Sequence, residues 1–148
     1  MADLAVVTPV AEALAAACWP GGLTLVLEQR PDVPLPDVLT GGVRTIGLRV
    51  PAHDAPRALA RVLGPLPTTS ANVSGRPELG DAAAILAALG DGLELILDAG
   101  PARGGVPSTV VDASGIAARI LRPGAIDATR LEAVLAAAGL AGLARVES

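Results

Sequence analysis

The apolar positions of this chain fall into short blocks separated by proline, glycine and hydroxyl residues, and the spacing within each block predicts its element. Thr8 and Pro9 form an N-cap and N1 pair for a helix running to about Cys18, with Val10, Leu14 and alanines on its apolar side and Trp19, Pro20 and Gly21 as its stop. Leu23 to Leu27 is apolar at nearly every position, which predicts a strand covered on both faces and favours helices packed on a sheet. Thr45 to Val50 is the next strand, where the two-residue period puts Thr45 and Arg49 on one face around Gly47, a floor for a polar ligand.

Asp54 is expected to cap a helix with Ala55, Leu59, Val62 and Leu63 inward and Arg57 and Arg61 on the solvated side. Leu66 leads into a polar loop read as the end of a strand. Asp81 caps a further helix with Ala82, Ile85, Leu86 and Leu89 inward, ended by Gly90. Leu93 to Leu97, Ser108 to Val111 and Ala118 to Leu121 read as strands. Asp127 or Thr129 opens a last helix in which Leu131, Val134, Leu135 and Ala138 recur at helical spacing before Gly139. Gln29 to Gly42 carries three prolines and a Gly-Gly pair and reads as a loop, either a mobile linker or a flap over a site. Strands alternating irregularly with helices predict an α/β (α+β-like) fold, a twisted mixed β-sheet with helices packed on it, over 1–148 as a single domain.

Composition narrows the chemistry. With 148 residues and 51% apolar side chains there is room for one core, but much of that fraction is alanine and Trp19 is the one aromatic residue, so modest stability is expected. The net charge of −4 gives no global attraction for nucleic acid or an anionic membrane. All 11 basic residues are arginines, and the chain has no lysine, tyrosine or phenylalanine. A single cysteine excludes an internal disulfide, and with no leader pattern or apolar run long enough to span a bilayer the chain reads as cytoplasmic, with no membrane partner.

The stretch the rest is organised around is PTTSANVSG, Pro67 to Gly75, where Thr68, Thr69, Ser70 and Asn72 follow a proline. By itself it is an ordinary polar turn or a site loop. Two later stretches shift that balance: GGVPSTVVD, Gly104 to Asp112, repeats the design of a proline and hydroxyls at a strand edge, and ILRPG, Ile120 to Gly124, ends a strand on an arginine. His53 stands alone before a helix cap, which argues against a Ser-His-Asp triad on Ser70 or Ser108, and Cys18 without partners makes no zinc site. Asn72-Val73-Ser74 is formally a glycosylation sequon, and GPARGG around Arg103 is a candidate anion nest. What remains is a pocket of hydroxyls, one amide and arginines, suited to binding and charge neutralisation, with no catalytic acid, base or nucleophile.

Taken in order with WPGGLTLVL from Trp19 and TIGLR from Thr45, these motifs resemble the YrdC-like family, the L-threonylcarbamoyladenylate synthases, over about Trp19 to Gly124. That family opens with a Pro-Thr-Asp-Thr-x-Tyr-Gly-Leu-type strand and a Lys-x-Arg segment, and the absence of lysine and tyrosine means that Met1 starts partway into the family's pattern. The resemblance implies condensation of L-threonine, bicarbonate and ATP to threonylcarbamoyl-AMP and pyrophosphate, the first step toward threonylcarbamoyl adenosine in tRNA, with Mg²⁺ arriving on ATP. By position it implies Thr45, Asn72 and Arg122 as ATP contacts and Arg49, Ser70 and Ser108 as the threonine site. Gly80 stands where similar proteins place a hydroxyl against the nucleotide, and Gly22 where the Trp-Pro-Gly-Pro run has its second proline. The family's opening segment supplies part of the threonine pocket and the cations that meet the triphosphate. Without it most of the charge stabilisation of the leaving pyrophosphate is missing, which leaves activity of the chain alone open, and an uncovered sheet edge is expected to give self-association, a partner chain or poor folding. Three readings stay open: the synthase, a non-catalytic nucleotide- or RNA-binding module that would meet tRNA-modification proteins or RNA, and a carbamoyl-transfer domain of the kind found in hydrogenase maturation proteins.

Overall fold

The computed structural model describes residues 1–72, 75–76, 79–101 and 106–144, and divides the chain into two units. The first holds Met1–Pro65 and Val106–Ser148, the second Leu66–Gly105.

In the first unit α1 spans Pro9–Cys18. The Thr8 hydroxyl accepts from the Ala11 N–H at 3.1 Å and donates to the Ala113 carbonyl at 2.8 Å, so one side chain caps the helix and ties it to a distant segment. Strand β1 (Leu23–Glu28) follows, then a one-turn helix α2 (Asp37–Thr40), β2 (Thr45–Leu48), α3 (Asp54–Leu63), β3 (Thr109–Asp112), β4 (Arg119–Arg122) and α5 (Ala128–Ala137). The four strands form one mixed sheet in the order β2-β1-β3-β4, with β1 parallel to β3 and the outer pairs antiparallel.

The two faces of this sheet differ. Leu23, Leu25, Leu27 and Val111 point to the side where Val10 and Leu14 of α1 and Leu131 and Leu135 of α5 complete a core, all of them at most 1% exposed. Thr24 and Val26 alternate onto the other face and stay half-buried, so β1 is covered fully on one side, and the expectation of two covered faces is corrected. Asp127 caps α5 by accepting from the Arg130 N–H at 2.7 Å, and Gly139, at φ +68°, turns the chain out of it.

One irregularity decides what the open face carries. Asp112 pairs with Arg119 and Val111 with Ile120, after which the register slips, and Val110 pairs with Arg122. In an unbroken ladder Leu121 would stand opposite Val110 and Arg122 opposite Thr109, which is fully buried on the helix side. The extra residue turns Arg122 to the face that carries Thr24 and Val110.

The caps and apolar sides around α3 correct the sequence reading. The N-cap is His53, whose Nδ1 accepts from the Ala55 N–H at 3.2 Å, while Asp54 is the first helical residue and pairs with Arg57 at 3.5 Å. Leu59, Val62 and Leu63, expected inward, are 38, 82 and 65% exposed, because no described element packs on that side of α3. The Gln29 to Gly42 loop contains the single turn of α2.

In the second unit Asp81 caps α4 (Ala82–Leu89) by accepting from the Ala84 N–H at 2.8 Å, and a 3-10 turn at Gly90–Gly92 follows. Ala82, Ile85 and Leu89 are half-buried, whereas Leu86 is 60% exposed and does not point inward. Leu93 to Leu97 is not a strand: it finds no ladder partner among the described residues, and Leu95 and Leu97 are 74 and 59% exposed. Leu66 to Ser70 likewise forms no strand.

Candidate functional site

The open face of the first unit's sheet gathers its polar groups where β1 and β3 begin and β2 and β4 end. Ser108 precedes β3 and is 8% exposed. Its hydroxyl lies 2.9 Å from that of Thr24, and Arg122 donates through Nη2 to the Ser108 carbonyl at 3.0 Å and to its Oγ at 3.2 Å.

This arrangement leaves donors to spare. Arg122 occupies one lone pair of the Ser108 hydroxyl, so the Ser108–Thr24 bond takes either that hydroxyl's proton or its second lone pair. In both cases the pair keeps one hydroxyl proton with no protein acceptor among the described residues, and the other nitrogens of Arg122 keep their N–H groups. Among the described residues Arg122 and Arg49 have no carboxylate partner. A guanidinium beside a shared hydroxyl pair fits a carboxylate or phosphate oxygen.

The backbone beneath is fixed by close approach. A Cβ on Gly124 would stand 2.3 Å from the Pro107 carbonyl oxygen and 2.6 Å from the Thr109 nitrogen, so only glycine lets the turn after β4 lie on the start of β3. The Ala125 N–H donates to the Pro107 carbonyl at 2.8 Å. The Thr109 hydroxyl donates to the Ile126 carbonyl at 2.6 Å and accepts from its N–H at 2.8 Å, which satisfies a fully buried side chain and clamps the same turn.

Arg49, one residue past β2, donates through Nε to the Gly21 carbonyl at 2.9 Å, and the Gly21 N–H donates to the Val50 carbonyl at 2.8 Å. Its strand and that of Arg122 are the two edges of the sheet, roughly 14 Å apart at three strand spacings. Thr45 pairs with Glu28 at the far end of β2, roughly 13 Å along the strand from Arg49, on the face that carries Gly47 and Val26. Of the sequence-derived residues, Ser108 and Arg122 are thus in direct contact, while Arg49 and Thr45 occupy separate positions on the sheet.

Ser70 and Asn72 belong to the second unit. Ser70 is exposed and its carbonyl accepts from the Thr69 hydroxyl at 3.3 Å; Asn72 is half-buried and donates through Nδ2 to the Arg76 carbonyl at 2.7 Å. Gly75 takes φ +77° in the same turn. Val73 and Ser74 of the sequon, and the segment around Arg103, lie outside the described residues.

Sequence reasoning missed Thr24, although the signal is present: it is the one polar residue of LTLVL and alternates away from three leucines. It also passed over Asp112. Burial works against the charge of that carboxyl, but hydrogen bonds from the Ser114 hydroxyl and N–H and from Arg119 outweigh it and hold the group below its ordinary range. Cys18 is buried, and desolvation pushes its thiol up although Arg130 pulls the other way, so it is a poor nucleophile. No helix among the described residues is long and apolar enough to cross a membrane.

Comparison with known proteins places this geometry in a family. The family model described as "Telomere recombination", that of Sua5, YciO and YrdC, matches residues 1–124. A Pyrococcus abyssi protein named threonylcarbamoyl-AMP synthase is 39% identical over 126 residues, 84% of this chain and 36% of its own length. A Mycobacterium tuberculosis protein is 40% identical over 125 residues, 84% of this chain and 57% of its own. The chain therefore spans between about a third and three fifths of the length of these relatives. The crystal structure of P. abyssi Sua5 complexed with L-threonine superposes with a TM-score of 0.80 at 38% identity, over 89% of this chain and 39% of that one.

Proposed function

The chain belongs to the Sua5/YciO/YrdC family, and we propose on that premise that it is a threonylcarbamoyl-AMP synthase-type protein serving the threonylcarbamoyl adenosine modification of tRNA. The observation that carries this reading is the contact of Arg122 with Ser108, itself bonded to Thr24, on the open sheet face. A relative of the same fold binds L-threonine, and others bear the synthase name, which supports the substrate.

In the proposed reaction the amine of L-threonine takes up the carbon of bicarbonate with loss of water, and an oxygen of the resulting carbamate attacks the α-phosphorus of ATP. A P–O bond forms, the bond to the outer phosphates breaks, and pyrophosphate leaves. The work of the protein is to align the two reactants and to stabilise the charge that develops. Ser108 and its Thr24 partner, with Arg49, would hold the carboxylate and hydroxyl of threonine. Arg122 would bridge the Ser108 side of that site to the nucleotide phosphate, while Thr45 would contact the nucleotide. Mg²⁺ would travel on the phosphates of ATP and neutralise part of their charge.

The test is calorimetric titration of the purified chain with ATP and L-threonine, separately and together. Threonine binding strengthened by ATP, followed by threonine-dependent release of pyrophosphate in the presence of bicarbonate, is the expected result. A folded chain that binds neither ligand would remove the reading of a self-sufficient enzyme.

A further inference from the structure

Between the exit of β2 and α3 lies an open cavity of about 370 Å³, walled by Pro51 and Pro56 and lined by Arg49, Arg57 and Arg61. The sequence alone reads Arg57 and Arg61 as a solvated helix side; in the fold they face the same cavity as Arg49, and Arg57 is half-buried. No acidic residue is among those that line it. Positions four apart on a helix are neighbours, and two like charges at that spacing weaken the helix. Three arginines are thus gathered in a chain whose net charge is −4, with little to neutralise them locally. Arg57 pairs only with the fully exposed Asp54, at 3.5 Å, and Arg61 has no acidic partner among the described residues. Arg49 uses its Nε on the Gly21 carbonyl and keeps both terminal nitrogens.

We infer that Arg49, Arg57 and Arg61 form a binding site for a polyphosphate anion. Three guanidinium forks offer more N–H donors than the two oxygens of a carboxylate can accept, whereas a diphosphate has enough oxygens and charge to engage all three. The rigid proline walls and the tether of Arg49 to Gly21 reduce the ordering that binding would require. The site needs only residues of the first unit; it shares Arg49 with the proposed threonine pocket, while Arg57 and Arg61, which carry the test, lie outside that pocket.

The same chemistry is offered by free polyphosphate and by the phosphodiester chain of RNA, and the experiment separates them. Sodium pyrophosphate and a 12-nucleotide single-stranded RNA, a length of about the reach of small RNA-binding sites, are titrated by calorimetry at low salt into the wild type, Arg57→Ala, Arg61→Ala and the control Arg44→Ala. Pyrophosphate should bind the wild type, weaken about tenfold or more in each of the first two variants, and bind Arg44→Ala unchanged. If an alanine variant fails to fold, Arg57→Lys and Arg61→Lys carry the test: they keep the charge, lose the fork and should still bind more weakly than the wild type. Absence of pyrophosphate binding by the folded wild type, equal weakening by Arg44→Ala, or binding of RNA without pyrophosphate would each overturn the inference. Threonine binding without pyrophosphate binding would overturn this site and leave the synthase reading standing, and the reverse pattern would do the opposite.

Discussion

Arg122 reaches Ser108 twice, donating to its carbonyl at 3.0 Å and to its hydroxyl at 3.2 Å, and it does so only because β4 carries one residue more than β3 can match. A guanidinium pointed at the opposite face would enter the leucine core, where its charge would have no partner. The bulge therefore moves what would be a core position onto the open face of the sheet.

Ser108→Ala removes the hydroxyl that Arg122 and Thr24 share and should weaken L-threonine binding about tenfold, with a fold unchanged by circular dichroism. Arg122→Lys keeps the charge and loses the two-point contact, so ATP affinity should fall by about the same factor. Calorimetric affinities for both ligands check both variants, and unchanged values would detach this cluster from the proposed site.

Gly124→Ala places a methyl group against backbone that cannot rotate away, 2.3 Å from the Pro107 carbonyl and 2.6 Å from the Thr109 nitrogen. The turn must shift from the start of β3 and take Ser108 with it, so a loss of about 3 kcal/mol is expected. Urea denaturation measures the loss. Gly80→Ala, where no atom lies within 4 Å of the added carbon, should be close to neutral by the same measurement.

What the sequence made legible follows local chemistry. Thr8, Asp81 and Asp127 cap helices as their residue types require, and Leu23 to Leu27 forms the strand its apolar run predicts, with one face fully covered and not both. The family also followed from the order of motifs, and residues 1–124 match it. The errors lie where a pattern needs a partner to be realised. Among the described residues Leu93 to Leu97, read as a strand, finds no neighbour to pair with, and Leu59, Val62 and Leu63 form an apolar helix side with nothing packed on it. His53 capped α3 in place of Asp54 because an imidazole nitrogen can accept the same backbone N–H. The bulge at Leu121 has no local signature, since it depends on the register of two strands.

Asp112 predicts a pH dependence. Burial opposes its charge, but hydrogen bonds from Ser114 and Arg119 outweigh that effect and hold the carboxyl below the ordinary aspartate range, so the folded state favours the charged form more than the unfolded chain does. The resulting stability is present above about pH 4, and is lost as pH falls through the folded value. Asp112→Asn should therefore lower the urea midpoint at pH 6, and the gap to the wild type should narrow steadily below pH 4. A gap independent of pH would show that Asp112 acts only through neutral hydrogen bonds.

Thr8 joins two parts of the first unit that are far apart in sequence. Its hydroxyl oxygen accepts the Ala11 N–H at the start of α1, and its proton goes to the carbonyl of Ala113, just past β3. Alanine at position 8 would leave an orphan donor at the helix start and deprive a carbonyl on a fully buried residue of its partner. Each loss is worth about 1 kcal/mol, and the pair should cost about 2 kcal/mol in urea denaturation. Thr8→Ser keeps both bonds and should recover most of that loss. If the serine variant is as unstable as the alanine one, the γ-methyl of Thr8 and not its hydroxyl holds α1 to the sheet, and the cap contributes little.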